Sequence, residues 1–264
     1  MKTFTIFLLS TLSTGCAFAQ ANVPLGAAGN FAILAFSTVT NTGPTMITGN
    51  IGVSTGTSIT GFPPGVISGS THLNDGLAQQ AQTALTAAYN NAMTQPVTQN
   101  LTGHNLGGLT LGPGVYKFDS SAMLTGTLTL SGSGYYIFQI GSTLTVANGS
   151  AVLAQNGADS ANIFWQVGAS ATLGTGISFV GNILALTSIT VDTGDTLAGR
   201  LLASGGAVTL DDDNLTYPPA TTTGGFGGPP ATPIPASWIL VLIGLACAML
   251  YQTRGRWLQL WKNG

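Results

Sequence analysis

The sequence predicts a mainly β fold in which short strands and tight turns form the coils of a β-solenoid. Three observations predict it: a repeated threonine triplet, apolar segments that recur ahead of the triplets, and an unusual composition. The chain has 264 residues, of which 44% are hydrophobic, 37 are glycine and only 5% are charged. This composition is typical of short strands and tight turns rather than of exposed helices.

The triplet places one threonine between two apolar residues, just ahead of a turn. Because successive side chains of a strand point to opposite faces, each triplet turns two apolar groups one way and its threonine the other. Stacked coils would set these threonines about 4.7 to 4.9 Å apart, as a flat, uncharged array of methyl and hydroxyl groups. We expect one ladder of Thr129, Thr145, Thr172, Thr190 and Thr209. Thr110 is a further candidate, although the Pro113-Gly114 turn can divert its strand.

Apolar segments about eight residues before the triplets align with one another. Tyr136-Ile137-Phe138-Gln139-Ile140 corresponds to Ile163-Phe164-Trp165-Gln166-Val167, and then to segments beginning at Ile183 and Leu201. The six threonines are separated by 19, 16, 27, 18 and 19 residues. Such an irregular period indicates a solenoid with corner loops of varied length. A similar coil begins at Phe31 and adds Thr40 to the expected ladder.

One helix is predicted at about residues 71–94. An apolar stripe at spacings of three and four runs from Leu73 through Leu77 to Ala92, Ser70 or Thr71 can cap its start, and Pro96 ends it. Because such a helix has few stabilising charged pairs, we expect its stripe to pack along one flank of the solenoid.

The two ends of the chain have the composition of targeting segments. Residues 1–19 combine Lys2, an apolar run and Ala17-Phe18-Ala19, which predicts a signal peptide. Residues 20–219 form the predicted solenoid domain and 220–235 a Gly/Pro/Thr linker. Residues 236–264 contain an apolar helix and a basic tail, and they resemble the PEP-CTERM and IPTL-CTERM sorting signals of Gram-negative bacteria. A plain membrane anchor is the alternative, although about 20 residues are needed for a full span.

Several classes of function are disfavoured by the residue types available. Nucleic acid has no electrostatic partner, because Lys117 and Arg200 are the only basic residues between the two terminal segments. No cysteine or glutamate in the predicted domain completes a metal set with His72 and His104, so no metal or other cofactor is expected. The run Asp211-Asp212-Asp213 is interpreted as a solvated turn, with a weak Ca²⁺ site as the second interpretation.

Motifs throughout the predicted domain resemble those of the ice-binding protein family of bacteria, fungi and microalgae. They are Leu25-Gly26-x-Ala28-Gly29-Asn30-Phe31-x-Ile33-Leu34-Ala35, Ile47-Thr48-Gly49-Asn50-Ile51-Gly52-Val53-Ser54, Gly108-Leu109-Thr110-Leu111-x-Pro113-Gly114-Val115-Tyr116, Asn162-Ile163-Phe164-Trp165-Gln166-Val167-Gly168 and Ala198-Gly199-Arg200-Leu201-Leu202-Ala203. The resemblance implies a discontinuous right-handed β-solenoid with one long helix alongside, whose N-terminal coils stack out of chain order on the later ones. It also implies that one flat face adsorbs to ice.

The resemblance suggests further candidates for the ice-binding face. Active family members often carry a T-A/G-x-T/N pattern there, which Thr193-Gly194-Asp195-Thr196 fits. Thr193 and Thr196 are therefore candidates, although a carboxylate of Asp195 facing ice would retain its own hydration shell. The ice-binding residues predicted from the ladder are Thr40, Thr129, Thr145, Thr172, Thr190 and Thr209, with Thr110 as a further candidate.

The sequence thus favours an exported, monomeric, non-enzymatic protein whose partner is ice. A simpler interpretation of the ladder is that threonine favours exposed strands. However, ordinary exposed strands also carry lysine, glutamate or arginine, which are missing here. An exported adhesin or matrix protein is the main alternative, and a polysaccharide-active enzyme a weaker one, because no cluster of catalytic carboxylates is evident. Phe138, Phe164 and Trp165 are expected to be core residues rather than sugar platforms.

Overall fold

The computed structural model describes residues 22–217 of the chain. The predicted signal peptide, linker and C-terminal sorting segment, together with both cysteines, lie outside the described residues. Within residues 22–217 no helix has the length and apolar character that crossing a membrane requires.

The described chain is mainly β, with parallel strands, one α-helix and two short 3-10 helices. The 3-10 helices are Gly26–Asn30 and Ser160–Asn162, and the α-helix α1 is Gly76–Thr94. The strands before α1 are β1 (Phe31–Ala35), β2 (Thr38–Thr42), β3 (Met46–Thr48), β4 (Asn50–Val53), β5 (Ser58–Thr60), β6 (Val66–Ile67) and β7 (Thr71–Leu73). The strands after it are β8 (Gln99–Asn100), β9 (Thr110–Leu111), β10 (Gly114–Phe118), β11 (Ala122–Leu124), β12 (Thr127–Ser131), β13 (Tyr136–Ile140), β14 (Leu144–Val146), β15 (Ala151–Gln155), β16 (Ile163–Val167), β17 (Ala171–Leu173), β18 (Ser178–Ala185), β19 (Ile189–Thr193), β20 (Thr196–Ala203), β21 (Val208–Asp211) and β22 (Asn214–Thr216).

The strand pairings define three faces, and each coil of the chain adds a strand to them in turn. The helix face consists of β8, β10, β13, β16, the second halves of β18 and β20, and then β1, β4 and β7. The ladder face is the separate sheet β11-β14-β17-β19-β21-β2-β5. The third face consists of β9, β12, β15, the first halves of β18 and β20, and then β22, β3 and β6.

Two glycines allow β18 and β20 to pass from the third face to the helix face without a break. Gly181 and Gly199 are paired in register, with φ of +117° and +158°. A Cβ on Gly199 would lie 1.9 Å from the carbonyl oxygen of Gly181. Glycine is therefore required at this bend, because the stacked backbones approach too closely for a side chain.

The coils do not stack in chain order. The last C-terminal strands pair with the first N-terminal ones on all three faces: β20 with β1, β21 with β2, and β22 with β3. The coil at Phe31 is thus added to the end of the C-terminal stack. This arrangement agrees with the out-of-order stacking that the family resemblance implied.

The helix begins five residues later than the sequence predicted. Residues Thr71–Leu73 form β7 instead, and the carboxylate of Asp75 caps α1 by accepting a hydrogen bond from the Ala78 N–H at 2.8 Å. The predicted stripe is wrong at its start, since Leu73 and Leu77 are 45% and 57% exposed. The buried stripe consists of Ala78, Ala81, Leu85, Ala88, Tyr89 and Ala92.

Side-chain amides attach α1 to the helix face at two points, one in its first half and one at its C-terminal end. Gln82 donates from Nε2 to the Ser204 carbonyl at 2.7 Å, and Gln139 donates from Nε2 to the carbonyls of Ala92 and Gln95 at 2.9 and 2.8 Å. The last carbonyls of a helix otherwise lack partners, so the amide of Gln139 serves as their cap. The helix therefore covers the helix face and leaves the ladder face open.

Stacked aromatic rings fill the interior of the C-terminal coils. Tyr116, Phe138 and Trp165 occupy equivalent register positions, with ring centroids 5.4 and 3.9 Å apart, and Phe179 follows at 5.0 Å. Phe164 packs outside this stack, in the cluster beneath α1. Phe138, Phe164 and Trp165 are each at most 2% exposed, which confirms that they are core residues.

A buried arginine lies at the junction between the two halves of the chain. Arg200, which is 3% exposed, donates from Nη1 to Asn182 Oδ1 at 2.8 Å and from Nε and Nη2 to the Gly29 carbonyl at 3.2 and 3.1 Å. Its guanidinium also lies 4.8 Å from the ring centroid of Tyr217. Arg200 thereby connects the N-terminal segment to the C-terminal coils at the point where β20 meets β1.

Candidate functional site: the threonine ladder

Six threonines occupy one unbroken row on the ladder face. The register pairs Thr145 with Thr172, Thr172 with Thr190, Thr190 with Thr209, Thr209 with Thr40 and Thr40 with Thr60. Met123 continues the row at the β11 end. The apolar partners of each triplet, such as Ala171 and Leu173 beside Thr172, point into the core. We call the six threonines the ladder.

The ladder is available to water along its whole length. Five of its members are exposed and Thr190 is partly exposed. Within residues 22–217 no protein group is hydrogen-bonded to the six side-chain hydroxyls, so each can bond to water. Threonine also has few accessible χ1 rotamers, so the methyl and hydroxyl groups are held in fixed positions by the strands.

Five of the six predicted ladder residues are brought together, and the sixth is not. Thr129 pairs with Thr110 and Leu153 on the third face, so its assignment to the ladder was wrong. The reason is that the coil formed by β12, β13 and β14 contains two threonine triplets, one on β12 and one on β14, and only the second lies on the ladder face. Sequence spacing alone does not distinguish them.

Thr60 is the ladder member that the triplet pattern missed. It is followed by Gly61 rather than by an apolar residue, so it forms only the first two-thirds of a triplet. Gly61 has φ of +83° and begins the turn that ends the strand. The sequence did contain a pattern that could have identified Thr60 as a ladder member: Ile59-Thr60 stands just ahead of a glycine turn, as the threonines of the other coils stand just ahead of turns.

The Thr193-Gly194-Asp195-Thr196 segment is the corner between the ladder face and the third face. Thr193 ends β19 and donates its hydroxyl proton to Asp211 Oδ2, while Thr196 begins β20 on the third face. Asp195 is 1% exposed and points inward. The concern that its carboxylate would face ice was therefore wrong, since the corner turns it into the interior.

Two buried aspartates support this corner from within. Asp195 Oδ1 accepts from the Ile177 N–H at 2.9 Å, and the Asp195 N–H donates to Asp213 Oδ1 at 3.0 Å. The Asp213 N–H in turn donates to Thr45 Oγ1 at 3.0 Å. Burial raises the pKa of Asp195 to about 6 and that of Asp213 to about 7, against opposing backbone hydrogen bonds. The corner turns of three adjacent coils are thus connected by carboxyl groups.

These raised pKa values predict that stability declines with increasing pH. An unfolded aspartate ionises near its ordinary pKa of 3.8, whereas the folded groups retain their protons up to about 6 and 7. Between these values the folded state binds more protons than the unfolded state, so the free energy of unfolding falls as pH rises. We expect the melting temperature to decrease between about pH 4 and pH 8, measured by circular dichroism.

Asp195→Asn tests the origin of this decline. Oδ2 of Asp195 has no hydrogen-bond partner among the described groups, so an amide can replace the carboxyl there without losing a bond. Since one pKa unit is worth about 1.4 kcal/mol, the variant should be more stable than the wild type near pH 8 by up to about 3 kcal/mol. The two should be equally stable near pH 4, where both carry a neutral group. An identical pH dependence in both proteins would contradict the assignment.

The charged residues near the ladder are confined to its edge. Asp192, Asp211 and Asp212 follow the threonines of β19 and β21 toward the corner.

In the part of the chain that the structure describes, no three His, Cys, Asp or Glu side chains are grouped so that they could hold a metal ion. His72, predicted to open the helix, lies in β7 with Nδ1 2.8 Å from Asp75 Oδ2. His104 lies in a loop.

Comparison with known proteins assigns the chain to a family. The family model described as Ice-binding-like matches residues 33–216. The chain belongs to this ice-binding family. An ice-binding protein of Nostoc sp. (strain HG1) is 54% identical over 196 residues, which are 72% of each chain. An ice-binding protein of Colwellia sp is 38% identical over 215 residues, covering 74% of this chain and 84% of the relative.

Solved structures of ice-binding proteins have the same fold. One, from an Antarctic biological consortium, superposes with a TM-score of 0.74 at 46% identity and covers 81% of this chain and 96% of its own. Another, from the Antarctic ascomycete Antarctomyces psychrotrophicus, superposes with a TM-score of 0.72 at 44% identity and covers 74% and 97%. The chain therefore has the overall fold of these ice-binding proteins.

Proposed function

We propose that this chain is an ice-binding protein that adsorbs to ice through the ladder, giving thermal hysteresis and inhibiting ice recrystallisation. The family membership supports ice as the partner, and the ladder supports the site. The single observation that carries the site is the register of six threonines on consecutive strands, with no protein group among residues 22–217 hydrogen-bonded to their hydroxyls. The surface of an ice crystal is periodic and uncharged, and the ladder is likewise periodic and uncharged.

The mechanism follows from the chemistry of the threonine side chain. Methyl groups held about 4.7 to 4.9 Å apart on a rigid sheet order the water above them, while the hydroxyls hydrogen-bond to it. The ordered layer can then merge with the surface of a growing crystal. Because the strands and corner turns are already fixed, little conformational entropy is lost on adsorption. The bound protein pins the ice front and lowers the local freezing point.

The finer features of the proposal come from the sequence and from the family. The stack is proposed to be a right-handed, discontinuous β-solenoid that acts as a monomer and without catalysis. Residues 1–19 are proposed to direct export, and residues 236–264 to act as a sorting signal or membrane attachment. This would place the ice-binding domain outside the cell or at its surface.

Ice-affinity partitioning tests the function directly. The purified chain is expected to be incorporated into a slowly grown ice hemisphere and to show a thermal hysteresis gap by nanolitre osmometry. An unrelated protein of similar size should remain in the liquid. If the chain also stays wholly in the liquid fraction and shows no gap, ice binding is excluded and the exported adhesin is favoured.

A further inference from the structure

A cleft lies at the corner between the helix face and the ladder face, beside the C-terminal half of α1. Its volume is about 380 Å³, within the range of about 300 to 1,000 Å³ that is typical of small-molecule sites. Tyr89 and Met93 of α1 form one wall, and the ends of β10, β13 and β16 form the other. Gly141 and Gly168 follow β13 and β16 at the corner, where the equivalent residue of the next coil is Leu186. The absence of side chains at these two glycines keeps the cleft open.

The floor of the cleft consists of polar side chains that are stacked in register. Lys117, Gln139 and Gln166 are aligned on β10, β13 and β16. The same row continues on the following strands as Leu184 and Leu202, which are buried beneath α1. Leucine is thus the side chain that this row uses where the helix packs on it. Because the change to lysine and glutamine occurs where the cleft lies, packing of apolar surface does not account for the polar residues.

The two glutamines are buried, yet their amides retain hydrogen-bonding capacity toward the cleft. Gln139 and Gln166 are 6% and 3% exposed. Gln139 uses Nε2 to cap α1, and within residues 22–217 no group is hydrogen-bonded to its Oε1. Burial raises the pKa of Tyr89, and a hydrogen bond with the Gln166 amide opposes this increase. Neither Oε1 of Gln139 nor the amide of Gln166 is sealed from solvent, so both can bond to a molecule in the cleft.

The charged groups at the rim of the cleft neutralise one another. Lys117 Nζ lies 2.7 Å from Asp119 Oδ1, and no other charged side chain among residues 22–217 lines the cleft. A charged ligand would therefore find no unpaired countercharge. Amides that both donate and accept hydrogen bonds, facing the largely apolar wall of α1, instead match a neutral molecule with hydroxyl groups on a carbon ring.

We infer that this cleft is a carbohydrate-binding site. In it, Gln166, Gln139 and Lys117 hydrogen-bond to the hydroxyls of a neutral sugar unit, and Tyr89 and Met93 contact its ring. A peptide fits less well, since β10, β13 and β16 are each paired on both sides and offer no free edge for strand addition. The inference does not depend on ice binding, because none of these five residues belongs to the ladder.

Titration of the isotope-labelled full chain with maltose, cellobiose and lactose, followed by NMR, tests the inference. At least one disaccharide is expected to shift the side-chain amide signal of Gln166, which is identified by its absence from the spectrum of Gln166→Leu. This variant places the side chain of Leu184 one strand earlier in the same row, so it should fold. It should bind the sugar roughly tenfold more weakly, because a hydrogen bond to a buried amide is lost.

Two further variants make the test specific. Lys117→Met should also weaken binding, and its exposed side chain makes it independent of any effect on folding. Gln155→Leu, on β15 of the third face, is the matched control and should bind as the wild type does. The hexasaccharide of the bound sugar distinguishes two sources of the ligand. Binding as tight as that of the disaccharide would assign the site to a polysaccharide, and loss of binding would assign it to a free sugar.

The outcomes separate this inference from the proposed function. If no disaccharide shifts the Gln166 amide at concentrations up to roughly 0.1 M, the carbohydrate site is excluded. If a sugar binds equally well to Gln166→Leu, Lys117→Met and the wild type, it binds elsewhere and the assignment is overturned. Both variants should retain the circular dichroism spectrum and the thermal hysteresis of the wild type, since neither alters the ladder. A negative result with sugars therefore leaves ice binding intact.

Discussion

Thr172→Tyr is expected to remove most of the thermal hysteresis without changing the fold. Thr172 lies near the middle of the ladder, between Thr145 and Thr190, and its side chain is exposed. A phenol ring at this position would extend several ångströms above the neighbouring methyl groups, and attraction between surfaces is lost over separations of that size. Nanolitre osmometry should show thermal hysteresis reduced by roughly an order of magnitude, because the crystal can no longer approach the neighbouring threonines.

Two further variants make this prediction specific. Thr190→Tyr, one strand away in the same row, should have the same effect. Thr86→Tyr introduces the same side chain on the exposed side of α1 and should retain full hysteresis. All three should have the circular dichroism spectrum of the wild type, since each site is at the surface. Undiminished hysteresis in both ladder variants would show that the ladder is not the ice-binding surface.

Arg200→Met is expected to cause the largest loss of stability. The guanidinium of Arg200 is buried and serves both the carbonyl of Gly29 and the side-chain oxygen of Asn182. Removing it leaves two buried acceptors without these donors at the junction between the halves of the chain. Since each buried acceptor left unsatisfied costs about 1 to 3 kcal/mol, we expect a loss of about 2 to 6 kcal/mol in the free energy of unfolding, measured by urea denaturation.

The other cation of the described chain provides the control. Lys117 is 44% exposed in its side chain and lies 2.7 Å from Asp119 Oδ1, so Lys117→Met should change stability by less than about 1 kcal/mol. Arg200→Lys should fall between the two, because an ammonium lacks the planar fork that reaches both acceptors. Equal stability of Arg200→Met and the wild type would contradict the role of Arg200 at the junction.

The aspartates show why some site assignments could not be made from sequence. Asp195 lies at a glycine-containing corner between Thr193 and Thr196, where the alternation of a strand does not say which way a side chain points. In the structure its carboxyl turns inward and accepts a backbone hydrogen bond from the neighbouring coil. This partner, Ile177, is 18 residues away in sequence, so no local pattern reveals it.

The helix start illustrates the same limit on a smaller scale. Several polar residues precede the apolar stripe, and any of them could cap it. The choice of Asp75 depends on β7, which pairs with β4 and keeps residues 71–73 extended. Competition between a strand and the first turn of a helix is decided by the neighbouring coil, not by local propensity.

The sequence by itself determined the mainly β class, the alignment of the apolar coil segments, the family resemblance and five of the six ladder threonines. These depend on local periodicity, which a single strand and its turn already express. Only the tertiary structure decided that Thr129 belongs to the third face, that Thr60 completes the ladder and that Asp195 is buried. The physical reason is that a corner loop sets the face on which the next strand lies. That choice is fixed by hydrogen bonds to the adjacent coil rather than by the spacing of residues along the chain.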